Sequence, residues 1–244
     1  MHLHKIKFRN MFAVYCRKVI LLCICFLPLM VKAQMNAQEY ETRFSLNPYH
    51  FGIAIAYNTS DLRVTFSDQF INHDSVMVVE STNGPGFNLG IITNMRLGKY
   101  FDLRFVPSLS FAEKKLNYTY RDENTSFQTL ESLYLDLPFD IKFKSAAYKD
   151  MKVYVLAGVK YAYDFSSNAD ARNAEGLVKI NANDLAINCG FGFEIYFPYF
   201  IFSPEIKLSN GILNLHATDP LLQESYVMDK LFSRTLLFTI HIEG

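Results

Sequence analysis

Cysteine is scarce in this chain of 244 residues, which has four cysteines and no tryptophan. Cys16, Cys23 and Cys25 lie within the first 33 residues, and only Cys189 comes later. A single cysteine beyond residue 33 excludes both an intramolecular disulfide and a cysteine metal cluster there. Cys189 stands in a row of apolar residues, a setting in which a cysteine is more often packed than reactive.

Neither sign of charge is in excess, because 24 basic residues balance 24 acidic ones. The balance is uneven along the chain. Residues 1–33 hold six basic residues and no acidic one, so the remainder has 18 basic residues against 24 acidic ones. An acidic remainder does not suit a nucleic-acid binder, and we expect no nucleic-acid partner.

A leader segment explains the basic excess at the start. The apolar run Val19–Met30 follows the basic residues and is too short to span a bilayer comfortably. Ala33 then offers a cleavage site before Gln34. The pattern predicts a secretory signal peptide over residues 1–33, with translation starting at Met1 or Met11. An uncleaved N-terminal anchor helix is the alternative.

Patterns typical of catalysis are missing. His50, His73, His216 and His241 have no serine or acidic partner at a spacing typical of a catalytic triad. No metal-ligand spacing and no phosphate-binding loop occurs. We therefore expect no enzymatic activity, no metal and no cofactor. An outer-membrane enzyme is a less favoured alternative.

The feature that dominates the chain is strict alternation of apolar with small or polar residues. Between Ile187 and Phe197, Phe191 and Phe193 share one face, while Gly192 and Glu194 share the other. The parity changes after Pro198-Tyr199 and alternation continues to Ser209. Alternation with period two predicts strands, so this segment is a predicted hairpin. Each arm has the length of a tilted strand that crosses a membrane.

The same alternation recurs in six other segments, which brings the predicted strands to eight. These segments are residues 50–58, 87–97, 101–112, 133–143, 153–165 and 235–243. Pro107, Pro138 and Pro204 fall within predicted strands. A proline removes a ladder hydrogen bond, so each is expected to mark a bulge or an edge.

The predicted connections alternate between long and short. The long ones cover residues 67–85, 121–128, 166–183 and 210–233, and the short ones residues 98–100, 145–150 and 198–199. Outer-membrane barrels have short turns on one side and long loops on the other. We therefore predict an all-β fold: an eight-stranded antiparallel transmembrane β-barrel of the outer-membrane type. It would cover residues 48–244, in contact with outer-membrane lipid, after a periplasmic segment of residues 34–47.

A soluble calycin-like barrel that binds a lipid is the rival fold, with its apolar faces turned inward. The apolar faces here are mostly Phe, Leu, Ile and Tyr, which would crowd an eight-stranded lumen. Small and charged residues fit the lumen better. We predict a lumen charge network formed by Arg96, Asp102, Arg104, Asp136, Asp140, Lys142, Lys160, Glu194, Glu205 and Lys207. Its members are interpreted as ion pairs that fill a narrow lumen, and a channel lining is the alternative.

The longest predicted connection, residues 210–233, has more apolar residues than a free loop needs. Asp219-Pro220 is typical of the start of a helix. A short helix there would act either as a docking surface for other proteins or as a lid over the barrel. The residues concerned are Leu221, Leu222, Met228, Leu231 and Phe232.

Several stretches resemble the PorT family of Bacteroidetes, small outer-membrane barrels associated with the type IX secretion system. The most specific is "FPYFIFSPEIK", within residues 191–212. Others are "PYHFGIAIAYN" at 48–58 and "ESLYLDLPFDIKFKS" at 131–145. The resemblance, which also includes residues 84–111 and 153–165, implies a barrel needed for protein secretion, as a component or an assembly factor, with other secretion-system proteins as partners. It supplies no catalytic residues.

Overall fold

The computed structural model describes residues 40–66, 76–120, 125–167, 179–217 and 228–244. The predicted signal peptide, residues 1–33, lies outside these ranges. Within them, a six-residue helix precedes eleven strands. The elements are α1 (Tyr40–Ser45), β1 (Tyr49–Phe66), β2 (Val76–Arg96), β3 (Phe101–Phe105), β4 (Ser108–Tyr120), β5 (Thr125–Lys144), β6 (Met151–Asp164), β7 (Lys179–Ile180), β8 (Asn183–Tyr196), β9 (Ile201–Gly211), β10 (His216–Ala217) and β11 (Met228–Glu243).

The main sheet closes on itself as an antiparallel ring. With β3 and β4 counted as one strand, each of its strands pairs with the next one along the chain, and the ring closes because β1 pairs with β2 on one side and with β11 on the other. Strands β7 and β10 pair separately as a two-stranded sheet. At Ile55, for example, the partners are Leu89 and Ile240. Strands β3 and β4 are two parts of one broken strand, since both pair with β2 and β5. The prediction of an eight-stranded antiparallel barrel is confirmed.

The three prolines coincide with interruptions of the hydrogen-bond ladder. Pro107 lies in the break between β3 and β4. Pro138 lies opposite that break. Along β5, the residues up to Asp136 pair with β4, and the residues from Phe139 onward pair with β3. Pro204 lies where the β8–β9 pairing skips from Glu205 to Phe202. Each proline therefore sits where its missing N–H group disturbs the ladder least.

Alternation decides which side chains face outward. Phe51 and Ile91 are 59% and 63% exposed, whereas Asp102 and Arg104, on the other face, are completely buried. Large apolar residues therefore cover the outside of the barrel, and polar residues point into the lumen. The soluble calycin-like alternative is wrong, because its apolar faces would have to be the buried ones.

The strands are longer than predicted at one end of the barrel. Three connections of four to six residues lie at the other end, which we call the short-turn end: residues 97–100, 145–150 and 197–200. At the long-loop end, β1, β2 and β5 reach 18, 21 and 20 residues, whereas β6 and β8 have 14. The connection between β4 and β5 shrinks to residues 121–124, so the expected strict alternation of long and short connections is wrong at this position.

The ends of β1, β2, β4, β5 and β11 that extend beyond their neighbours form a raised wall at the long-loop end. Below the wall, one registered row of large apolar residues runs across these strands: Phe238, Tyr57, Phe87, Phe111 and Leu133. The Phe87 and Phe111 rings stack with centroids 4.5 Å apart. Above this row the outward-facing pairs of β1 and β11 become charged, at Asp61 and Arg234, so the row is the upper edge of the apolar belt.

In the part of the chain that the structure describes, no helix has the length and apolar character needed to cross a membrane.

Candidate functional site

The lumen brings together nine of the ten residues predicted to form the charge network. Eight are buried, and Lys160 is half-buried, beside Asp136. Arg96 is the exception. It lies at the rim of the short-turn end, where its guanidinium donates to the backbone carbonyls of Gly98 and Ser45. Its place in the network is a wrong prediction, because β2 ends at Arg96 and the side chain is directed to the turn and to α1.

Arg104 is the centre of the network. Its guanidinium is completely buried, with Nη1 2.9 Å from Glu205 and Nη2 2.5 Å from Glu243. The Tyr154 hydroxyl donates to the same Glu205 carboxylate at 2.7 Å. His241 Nε2 lies 3.4 Å from that carboxylate. Four strands, β3, β6, β9 and β11, are joined across the lumen by these contacts.

A second group lies closer to the short-turn end. Asp102 accepts from Lys144 at 2.6 Å and from Asn94 at 2.9 Å. Lys142 pairs with Glu194, which also accepts from the Tyr196 hydroxyl at 2.6 Å. The two groups meet at Tyr154, because the Lys142 Nζ atom lies 4.7 Å from the centre of its ring and the Arg104 guanidinium 5.4 Å from it. Glycine makes room for this ring: a Cβ atom on Gly192 would lie 2.6 Å from the Tyr154 hydroxyl.

The third group lies towards the long-loop end. Lys207 bonds to Asp140 at 3.1 Å and lies 3.5 Å from Glu205, which connects this group to Arg104. Asn188 donates to the second Asp140 oxygen at 3.0 Å. The space left between Asp136, Lys160, Lys207 and His241 is a cavity of about 30 Å³, room for one or two water molecules. Two smaller cavities of about 10 Å³ each lie towards the short-turn end, beside Glu41 and Asp102, and towards the long-loop end, beside Lys114 and Asp184.

Several members of the network were not among the predicted residues. Alternation alone would have found Lys144, His241 and Glu243, which continue the polar faces of β5 and β11. Tyr154 shares its face with Gly158 and Lys160, so alternation also directs it to the lumen, but the predicted network contains only charged residues. Its burial is explained by its hydroxyl, which finds a partner in the lumen.

Helix α1 seals the short-turn end. Asp150, from the turn between β5 and β6, accepts hydrogen bonds from the backbone N–H groups of Tyr40 and Glu41, at 2.8 and 3.1 Å. It therefore caps the helix from outside. The Glu41 carboxylate is buried with Lys152 at 2.5 Å. Phe44 packs against Tyr196 and Ile201.

This arrangement explains why Ile201 breaks the alternation of β9: it points inward and supports α1. Of the predicted periplasmic segment, residues 34–47, the structure describes the part from Tyr40 onward. Within this part, α1 packs into the mouth of the barrel.

The predicted docking or lid loop divides into two parts. Leu221 and Leu222 lie outside the described residues. Met228, Leu231 and Phe232 belong to β11, so their assignment to a loop helix is wrong. Leu231 is completely buried inside the wall, and its N–H donates to the side chain of Asn214 at 3.0 Å. The wall continues the sheet beyond the membrane-length strand, and the helix prediction did not allow for that extension.

Metal-ligating side chains are not clustered in the part of the chain that the structure describes. No three His, Cys, Asp or Glu side chains there are grouped as ligands of a metal ion. What the lumen contains is a set of mutually neutralising charges around a small cavity, sealed at one end.

The family model of the outer membrane protein beta-barrel domain matches residues 32–217. The chain belongs to this family. It is an outer-membrane β-barrel, located in the outer membrane. In barrels of this kind the short turns face the periplasm, so we expect α1 on the periplasmic side and the wall outside the cell. No curated protein matches the sequence.

Solved structures similar to this barrel include three from other bacteria. The outer membrane protein OprG from Pseudomonas aeruginosa is 10% identical, with TM-score 0.46, over 80% of this chain and 93% of that chain. Neisserial surface protein A is 8% identical, with TM-score 0.43, over 80% and 97%. Ail, the attachment invasion locus protein of Yersinia pestis, is 13% identical, with TM-score 0.37, over 81% and 100%.

Proposed function

We propose that this outer-membrane barrel is a non-conducting, non-enzymatic component or assembly factor of protein secretion through the type IX system. The filled lumen supports the proposal that the barrel does not conduct. Arg104, Lys142 and Lys207 are buried between carboxylates, and the best-defined lumen cavity, about 30 Å³, has the size of one or two waters. Two others have about 10 Å³ each. A barrel built in this way acts through its surfaces.

The secretion role is supported by the resemblance of residues 48–58, 84–111, 131–145, 153–165 and 191–212 to the PorT family of Bacteroidetes. Within such a role, outer-membrane lipid covers the apolar belt, so protein partners meet the barrel at its ends. The periplasmic end has short turns and α1, which offer a small surface. The wall and the long connections at the opposite end offer a larger one, and we propose that other secretion-system proteins bind there.

Secretion by cells that lack the protein tests this proposal. Deletion is expected to abolish export of type IX cargo, and the wild-type gene is expected to restore it. A variant in which residues 221–227 become a Gly/Ser linker keeps all of β11 and tests the connection that contains Leu221 and Leu222. We expect a folded barrel with reduced secretion.

The matched control is a Gly/Ser replacement of residues 121–124, the short connection at the same end. It is expected to leave secretion unchanged. Normal secretion in the deletion strain would refute the secretion role. If the deletion strain fails to secrete but the 221–227 variant secretes normally, docking at that connection is refuted. Co-purification of secretion proteins with the wild type, and their loss from the 221–227 variant, would identify the partners.

A further inference from the structure

One outward-facing strip of the wall differs from the apolar belt below it. Strands β11 and β1 are in register, and their outward rows rise from Phe238 beside Tyr57 through Leu236 beside Thr59. The next rows are charged: Arg234 beside Asp61, Phe232 beside Arg63, and Lys230 beside Thr65. Arg234 is four residues from Phe238, about 13 Å along a strand. The strip therefore lies at the level where the headgroups of the outer leaflet begin.

The two guanidinium groups of the strip are held in place. Arg234 makes a two-point contact with Asp61, Nε to Oδ1 at 3.0 Å and Nη2 to Oδ2, while its side chain stays 55% exposed. Arg63 lies over the Phe232 ring, with its guanidinium carbon 4.9 Å from the ring centre. A guanidinium has five N–H donors, more than these contacts use, and such ordered, planar donors suit phosphate oxygens.

The charge of this strip differs from that of the adjoining part of the wall. Arg63, Lys230 and Arg234 face Asp61 and Asp229, the latter 3.7 Å from Lys230, which leaves one excess positive charge. On β4 and β5, Glu113 lies directly opposite Glu131, and Lys115 pairs with Glu113 at 2.8 Å. That part of the wall has one excess negative charge. An anionic ligand is therefore favoured on the β1–β11 side.

We propose that Arg63, Lys230 and Arg234 form a binding site for the phosphate groups of a phosphorylated glycolipid of the outer leaflet. The acyl chains of the same molecule would lie along Leu236, Phe238 and Tyr57, directly below. The continuity of the cationic strip with the lipid-facing belt favours a lipid over a soluble acidic partner, because one amphipathic molecule covers both. This inference depends on the outer-membrane location and not on the role in secretion.

Binding of lipopolysaccharide to the purified full-length barrel in detergent tests the site. Arg63→Gln with Arg234→Gln is expected to weaken binding by at least about tenfold, the loss of a charge-assisted contact. Arg63→Lys with Arg234→Lys keeps the charge without the planar fork and is expected to retain part of the affinity. Lys115→Gln, which removes a positive charge from the wall on β4, is the matched control and is expected to change binding by less than about twofold.

The source of the anion is tested with two further probes. Enzymatically dephosphorylated lipopolysaccharide is expected to bind the wild type no better than native lipopolysaccharide binds the double Gln variant. Vesicles of phosphatidylglycerol are expected to compete only weakly.

Unchanged binding in the double Gln variant would overturn the proposal, as would equal binding of the dephosphorylated lipid. If an acidic peptide binds strongly to the strip and lipopolysaccharide does not bind, the strip is assigned to a protein partner instead. Among the described residues, Lys230 forms one ion pair, with Asp229, and this pair is exposed. Lys230→Gln therefore keeps the test valid if the double variant does not fold, and it is expected to weaken binding as well.

Discussion

Replacing Arg104 by methionine removes the cation on which two buried carboxylates depend. Glu205 retains Lys207 at 3.5 Å, His241 at 3.4 Å and the Tyr154 hydroxyl at 2.7 Å. Glu243 retains no other ion-pair partner in the part of the chain that the structure describes. Removing one partner of a buried ion pair costs about 3–5 kcal/mol of stability, and we expect Arg104→Met to fall in this range.

The double variant Arg104→Met with Glu243→Gln removes the orphaned charge as well. It is expected to recover at least about 1.5 kcal/mol of the loss, because a neutral amide is cheaper to bury than an unpaired carboxylate. Lys115→Gln is the surface control. Its ion pair with Glu113 is partly exposed, with side chains 43% and 29% accessible, and such pairs contribute about 0–1 kcal/mol.

The assay is urea unfolding of the barrel in phospholipid vesicles. The chain has no tryptophan, so unfolding is followed by circular dichroism and by the gel mobility of the folded barrel. If Arg104→Met lowers the free energy of unfolding no more than Lys115→Gln does, Arg104 is not the centre of the network. If the double variant is less stable than Arg104→Met alone, the cost is not that of the orphaned Glu243 carboxylate.

Two further predictions concern the apolar belt and the plug. Phe191→Arg, in the middle of the lipid face of β8, is expected to cost about 2–4 kcal/mol, whereas Tyr163→Arg, near the long-loop end, should cost about 0–1 kcal/mol. Equal losses in the urea assay would mean that the facing or the membrane level is wrong. Glu41→Gln leaves Lys152 buried without its carboxylate at 2.5 Å. It should speed hydrogen exchange of the α1 amides, and unchanged exchange would contradict the sealing role of this pair.

The barrel was predictable because alternation is a local property of the sequence. On an eight-stranded barrel, each side chain in a strand faces either lipid or lumen. Residue type alone therefore predicts that Phe191 faces lipid and Glu194 faces the lumen. The short turn at residues 197–200 was predictable for a related reason: it separates two alternating segments of opposite parity.

Other features depend on contacts between distant residues. Glu41 pairs with Lys152, which is 111 positions away in the sequence. No local sequence pattern near either residue predicts this ion pair. Tyr154 lies on the polar face of β6 by alternation, but its partners Glu205 and Arg104 are on other strands, so its contacts were not predictable. The outer ends of β2 and β11 fell within the predicted connections 67–85 and 210–233, because above the membrane lipid no longer enforces alternation. Leu231 and Phe232, two adjacent apolar residues, were therefore assigned to a helix that Asp219-Pro220 would start.

The central claim is that the lumen is filled and does not conduct. Single-channel recording of the full-length protein in planar bilayers tests it most directly. The account predicts no conductance steps from the wild type. Deletion of residues 40–45 should also remain silent, because the ion pairs of Arg104, Lys142 and Lys207 persist after α1 is removed. Stable, ohmic conductance steps from the wild type, altered in size by Arg104→Met, would contradict the account.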